Sequence, residues 1–127
     1  MILLDANYLI SLFVKREKNH ERAIEIAKYI QNEEKIISKL IIAETITILK
    51  KKLKTKDIIK IYNTLENFTI AEDSHLFNEG FEEFIKYDGE ISFFDAVYIA
   101  LMKNLKIREI VSFDTDFDNK KGIHRIH

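Results

Sequence analysis

The chain predicts an α/β fold built on a mostly parallel sheet of about four to five strands, with helices on both faces. Three observations carry this. Short apolar runs alternate with longer segments of helical periodicity from one end to the other. Hydrophobic residues make up 46% and charged residues 32% of 127 positions, enough for a real core and too apolar for a disordered chain. There is no Pro and there are only three Gly, so nothing marks a linker, and residues 1–127 read as one domain.

The elements follow in order. Residues 2–4 are a short buried strand, and a helix follows from about Ala6 to Lys15. Ala23, Ile24, Ile26, Ala27 and Ile30 stand at helical spacing within residues 20–31. Glu34-Lys35-Ile36-Ile37 reads as the second strand. Ser38 suits the N-cap of a helix running to about Leu53, with Ile42, Ile46, Leu49 and Leu53 on one face. Thr55 suits the cap of the next helix, which carries Ile58, Ile59, Ile61, Tyr62 and Leu65. Phe68-Thr69-Ile70 is the third strand. A helix bearing Leu76, Phe77, Phe81, Phe84 and Ile85 follows, then a break at Gly89. The most apolar helix starts near Ser92. Glu109-Ile110-Val111 is the fourth strand and Ile123-His124-Arg125-Ile126 a fifth. Ligands of such sheets bind beyond the carboxyl ends of the strands, where strand order reverses.

Several classes are set aside by composition. No apolar run approaches a membrane span, and the apolar start lacks the basic flank of a signal peptide, so a cytoplasmic location is expected. With no Cys there is neither a disulfide framework nor a thiolate zinc site. No Gly-rich phosphate loop appears, and no Ser–His–Asp set can be assembled. The net charge of −1 advertises no global attraction to nucleic acid, yet Lys50, Lys51, Lys52, Lys54, Lys56 and Lys60 cluster mid-chain. Beside an acidic metal site they would suit a polyanionic substrate; otherwise they are a solvated helix face.

Four acids stand in apolar settings. Asp5 ends Met1-Ile2-Leu3-Leu4, Glu44 follows Leu40-Ile41-Ile42-Ala43, Asp95 opens the most apolar helix, and Asp114 follows Ile110-Val111-Ser112-Phe113. Each also has an ordinary explanation. Asp5 suits the N-cap at Ala6, Ser92-Phe93-Phe94-Asp95 suits a capping box, and Asp114-Thr115-Asp116-Phe117-Asp118 suits turn chemistry. Glu44 could pair with Lys51 or Lys52 at the rim. If the fold gathers the four, their repulsion calls for a divalent cation, and an all-oxygen donor set favours Mg²⁺ or Mn²⁺. Asn7 and Ser112, each two residues from an acid, are placed to orient it.

At these residues the chain resembles the PIN-domain family of nucleases, most closely the single-domain VapC-type toxins. Leu3-Leu4-Asp5-Ala6-Asn7-Tyr8-Leu9-Ile10 looks like the family's opening motif, and Glu44 in Ile42-Ala43-Glu44-Thr45 matches its helical glutamate. Phe94-Asp95-Ala96-Val97-Tyr98-Ile99-Ala100 is similar to the third-acid segment. Val111-Ser112-Phe113-Asp114-Thr115-Asp116-Phe117 resembles the last, where a Thr is more usual than Ser112. The resemblance implies a PIN-like three-layer sandwich and a Mg²⁺- or Mn²⁺-dependent endoribonuclease, usually a homodimer held in check by an antitoxin protein. It implies catalytic roles for Asp5, Glu44, Asp95 and Asp114, with Asp5, Asp95 and Asp114 holding the metal, and it leaves Asp116 open as the fourth acid. A non-catalytic PIN-like module binding RNA or protein, and a non-toxin RNA-processing nuclease, are the rival expectations. A phosphotransfer or phosphatase domain with Asp5 as nucleophile would need a second Asp beside Asp5, where Asn7 stands in one such family, or an essential Lys after a later strand.

Overall fold

A computed structural model describes residues 1–127. Its five strands are β1 (Ile2–Leu4), β2 (Lys35–Ser38), β3 (Thr69–Ala71), β4 (Glu109–Val111) and β5 (His124–Ile126). They form one sheet in the order β3-β2-β1-β4-β5, and every neighbouring pair is parallel. The expected mostly parallel sheet is therefore wholly parallel. Each link between parallel neighbours needs a crossover, and helices supply most of them. These are α1 (Ala6–Phe13), α2 (His20–Tyr29), α3 (Lys39–Leu49), α4 (Thr55–Leu65), α5 (Phe77–Lys86) and α6 (Phe93–Leu105). None is long and apolar enough to cross a membrane.

Strand order explains burial. β1 is central, with Ile2 opposite both Lys35 and Glu109, and its three side chains are buried. β3 and β5 are the sheet's edges, and Thr69, Ile70 and His124 are exposed there. From β1 the chain winds outward through β2 to β3. It then returns through α5 and α6 to place β4 on the other side of β1. The direction of winding reverses at β1, so the carboxyl end of β1 lies at the switch point.

Several expected boundaries shift, for local reasons. α1 stops at Phe13, two residues early, because Val14 takes an extended backbone. α3 stops at Leu49 instead of Leu53, and Lys50 to Leu53 turn back with amides bonded to Ile46, Ile48 and Leu49 carbonyls. Its buried face is Ile41, Thr45 and Leu49, not the Ile42–Ile46–Leu49–Leu53 stripe. The helix is apolar on nearly all sides, so periodicity alone could not choose the face. Thr45 can sit in the core because its hydroxyl donates to the Ile41 carbonyl at 2.7 Å. Thr55 is the first helical residue of α4, and Lys54 holds the cap position without a side-chain bond. β2 and β3 each begin one residue later than expected, at Lys35 and Thr69.

α6 is the axis of the second half. Asp95 through Met102 are all buried, which matches its uninterrupted apolar sequence. Ser92 caps it as expected, accepting a bond from the Asp95 amide at 3.1 Å. At its other end Lys106 turns left-handed (φ 58°), and the Ile107 amide bonds the Met102 carbonyl at 2.8 Å. α5 packs on α6 at Gly80, where a Cβ would fall 2.7 Å from Val97 Cγ2.

Candidate functional site

Asp5 leaves the carboxyl end of β1 and is 3% exposed. Its Oδ1 accepts from the Ala6 amide at 2.8 Å, so it is an N-cap. Its Oδ2 accepts from the Ser112 hydroxyl at 2.7 Å and from Asn7 Nδ2 at 3.1 Å. The expected N-cap is therefore present, and the same side chain keeps its other oxygen for Ser112 and Asn7. Ser112 follows β4, so this bond ties the two central strands together at their carboxyl ends. The Ser112 hydroxyl also accepts from the Asp114 amide at 3.0 Å, and Asn7 Oδ1 accepts from the Phe113 amide at 2.9 Å. Asn7 and Ser112 thus brace Asp5 and the start of the Asp114 loop.

Asp95 is brought to the same edge by α6 and is 5% exposed. Asp114 caps the short 3₁₀ turn Thr115–Phe117 by accepting from the Asp116 amide at 2.9 Å. One carboxylate oxygen from each of Asp95, Asp114 and Asp116 lies within 4.8 Å of the others. Both candidates for the fourth acid therefore reach the cluster. Asp5 falls outside that tight set, but its charge and that of Asp95 act on each other. Glu44 is half-buried on α3 and feels the charge of Asp114.

Glu44 pairs with neither Lys51 nor Lys52. Lys52 binds Glu17 at 3.2 Å, and Glu44 Oε1 accepts from the Tyr98 hydroxyl at 2.8 Å. Tyr98 stands one turn after Asp95 on the same face of α6. Sequence reasoning missed it, because a tyrosine inside an apolar helix reads as core. The spacing of three from Asp95 was the available signal.

The electrostatics follow from burial and crowding. Burial pushes the Asp5 carboxyl up to about 7, with Glu44 and Asp114 adding to the rise and the Ser112 bond opposing it. Asp95 is pushed higher still by burial, then by the Asp5 charge, a hydrogen bond to Asp116, and the Asp114 and Asp116 charges. Glu44 rises through burial and Asp114, against the Tyr98 bond. The Tyr98 hydroxyl is driven up by burial and by Glu44. No Lys or Arg pairs with any of the five acids. Arg125, which reaches the Ser112 carbonyl at 3.1 Å, is held by Asp118 at 2.7 Å.

The cluster fits a hard divalent cation. Its donors are all carboxylate oxygens, three of them converge, and no protein cation neutralises them. None of the four His, at positions 20, 75, 124 and 127, belongs to it. The lysine-rich stretch is not beside the acids. It sits where the end of α3 meets the end of α1, with Arg16 donating to the Lys52 carbonyl.

Comparison with known proteins agrees with this fold. The family model described as PIN domain matches residues 2–123. By sequence, no curated protein matches the chain. Among solved structures it is similar to Mycobacterium tuberculosis VapC20, described as a Sarcin-Ricin loop cleaving toxin. Identity there is 20%, coverage is 91% of this chain and 92% of that one, and the TM-score is 0.78. It is also similar to VapBC2 from Rickettsia felis bound to a DNA fragment from its promoter, at 16% identity, 99% and 98% coverage and TM-score 0.74. A toxin–antitoxin complex from Klebsiella pneumoniae matches at 21% identity, 98% and 96% coverage and TM-score 0.68.

Proposed function

The chain belongs to the PIN-domain family, and on that premise we propose that it is a Mg²⁺- or Mn²⁺-dependent endoribonuclease hydrolysing phosphodiester bonds in RNA, the toxin of a toxin–antitoxin pair. The observation that carries this reading is the convergence of Asp95, Asp114 and Asp116, with Asp5 and Glu44 within reach of their charge, at the carboxyl end of the central strands with no protein cation among them. Structural neighbours described as a loop-cleaving toxin and as a toxin–antitoxin complex support the toxin assignment and an antitoxin partner. A homodimer is the working assembly of this proposal.

Asp5, Asp95 and Asp114 would hold the cation, with Asp116 as the alternative or additional ligand to Asp114. A cation bound there would acidify water and offset the charge of a scissile phosphate. Ser112 and Asn7 fix the direction of the Asp5 oxygens. Tyr98 fixes Glu44 through Oε1, which leaves Oε2 to accept a proton from an attacking water. The raised pKa of Glu44 suits it to that role. No side-chain nucleophile is needed.

The test is cleavage of a mixed RNA pool with Mn²⁺ or Mg²⁺, with chelator and Asp95→Asn controls. Cutting that needs the metal and disappears in the variant is the expected result. Cutting that survives chelator, or equal cutting by the variant, refutes the assignment. No cutting by folded, metal-loaded protein turns the reading to a non-catalytic RNA- or protein-binding module.

A further inference from the structure

The five acids create a difficulty for the proposed substrate. RNA is a polyanion, and the edge it must approach is itself anionic. The lysine-rich region supplies the missing attraction. Residues 15–18 and 50–60 hold nine Lys or Arg and two acids, an excess of seven positive charges in a chain whose net charge is −1. Lys15, Lys18, Lys50, Lys51, Lys54 and Lys56 are all exposed. One of the two acids, Glu17, is already taken by Lys52.

This is a built surface and not one solvated helix. An ordinary charged helix alternates signs at i,i+4, and none of these six lysines pairs with an acid. The cations come from two separate turns. The Arg16 bond to the Lys52 carbonyl and the Lys52–Glu17 pair join them. A cavity of ≈ 460 Å³ lies at the join, between Phe13, Lys15, Leu53 and Lys60. The eight residues of α1 separate this surface from Asp5, about 12 Å at 1.5 Å per residue. An extended strand held at the acids reaches it within a few nucleotides.

We propose that the joined ends of α1 and α3, with the start of α4, form an exosite for the phosphate backbone of single-stranded RNA. It is set apart from the carboxylate edge and makes no base contacts. It rests on the proposed nuclease function for its substrate, and it adds where the strand runs and the expectation that longer RNA binds more tightly than short RNA. Its lysines lower KM for substrates long enough to span both places and leave the chemical step alone.

The experiment measures binding of a fluorescent twelve-nucleotide RNA by anisotropy at several salt concentrations. It uses cleavage-silenced Asp95→Asn protein, with and without Lys50→Glu, Lys51→Glu and Lys54→Glu together. A second set with Gln in place of Glu separates lost attraction from added repulsion. The expected result is at least tenfold weaker binding at low salt. The log–log salt slope should become shallower by about 2 in the Gln set, about 0.7 for each phosphate no longer neutralised. In otherwise wild-type protein, cleavage of a dinucleotide should be unchanged while KM for the long RNA rises. An unchanged affinity and slope overturn the exosite, even if RNA is cleaved. Lysine-dependent binding without cleavage keeps the exosite and removes the nuclease.

Discussion

Replacing Asp95 by Asn tests the electrostatics of the site without any assay of activity. In metal-free protein Asp95 and Asp5 are buried, crowded acids, and both hold protons more tightly folded than unfolded. The unfolded carboxyl titrates near its ordinary value of about 3.9. The folded Asp5 carboxyl titrates at about 7, and Asp95 is higher. Between those limits the native state binds more protons than the unfolded state, so stability falls as pH rises. Each excess proton costs about 1.4 kcal/mol per pH unit. From about pH 4 to about pH 7 that is about 4 kcal/mol for one such group. Urea unfolding in chelator should therefore show stability declining through this window with a slope of at least one proton. The amide of the Asp95→Asn variant has no proton to exchange. The variant should lose part of that slope and be about 4 kcal/mol more stable than the parent at neutral pH. Mn²⁺ should restore the parent at neutral pH, because a ligand of the native state raises its stability, and should do much less for the variant. A parental stability that is flat or rising across this window, or a variant no more stable than the parent, would refute the reasoning.

Three further outcomes are expected. Tyr98→Phe removes the 2.8 Å bond that holds Glu44, and that bond keeps the Glu44 carboxyl from rising further. The acid limb of the pH–rate profile should move to higher pH and kcat fall about tenfold, with KM little changed; an unmoved profile would leave Tyr98 a packing residue. Ser112→Ala strips a donor from Asp5 and an acceptor from the Asp114 amide, which should cost about 2 kcal/mol in urea unfolding; a loss below a few tenths would mean the bonds are replaced by water. Gly80→Ala puts a methyl 2.7 Å from Val97 Cγ2 and 3.0 Å from its Cα. The clash, about 1–3 kcal/mol, should outweigh the helix-propensity gain of about 1 kcal/mol, so a raised melting temperature would show that α5 shifts freely.

The acids were legible because each interrupts an apolar run, and a carboxylate there is costly without a partner. Strand and helix order were legible for the same reason, since period and apolar content change sharply at each boundary. What the sequence hid was partnership. Its spacing of three from Asp95 is the only local mark that sets Tyr98 apart from its core neighbours, because its hydroxyl partner is 54 positions away. Asp116 could not be separated from Asp114, because only the 3₁₀ turn brings both carboxylates toward Asp95. The buried face of α3 was misread because Ile42 and Ile46 look like core residues. They pack only partly against the core and also line a groove with Tyr62 and Ile70 beside edge strand β3. The lysines were visible as a cluster, but their distance from the acids depends on where α3 stops.

The bond from Ser112 to Asp5 spans 107 positions. A chain emerging from the ribosome has Asp5 and Glu44 in hand long before Asp114 and its turn exist. Until β4 docks beside β1, the acids are dispersed and nothing can be gathered among them. Whatever chemistry this site supports, it cannot begin before β4 and the Asp114 turn have been made. The order of residues along the chain therefore sets when the site can assemble, through topology alone.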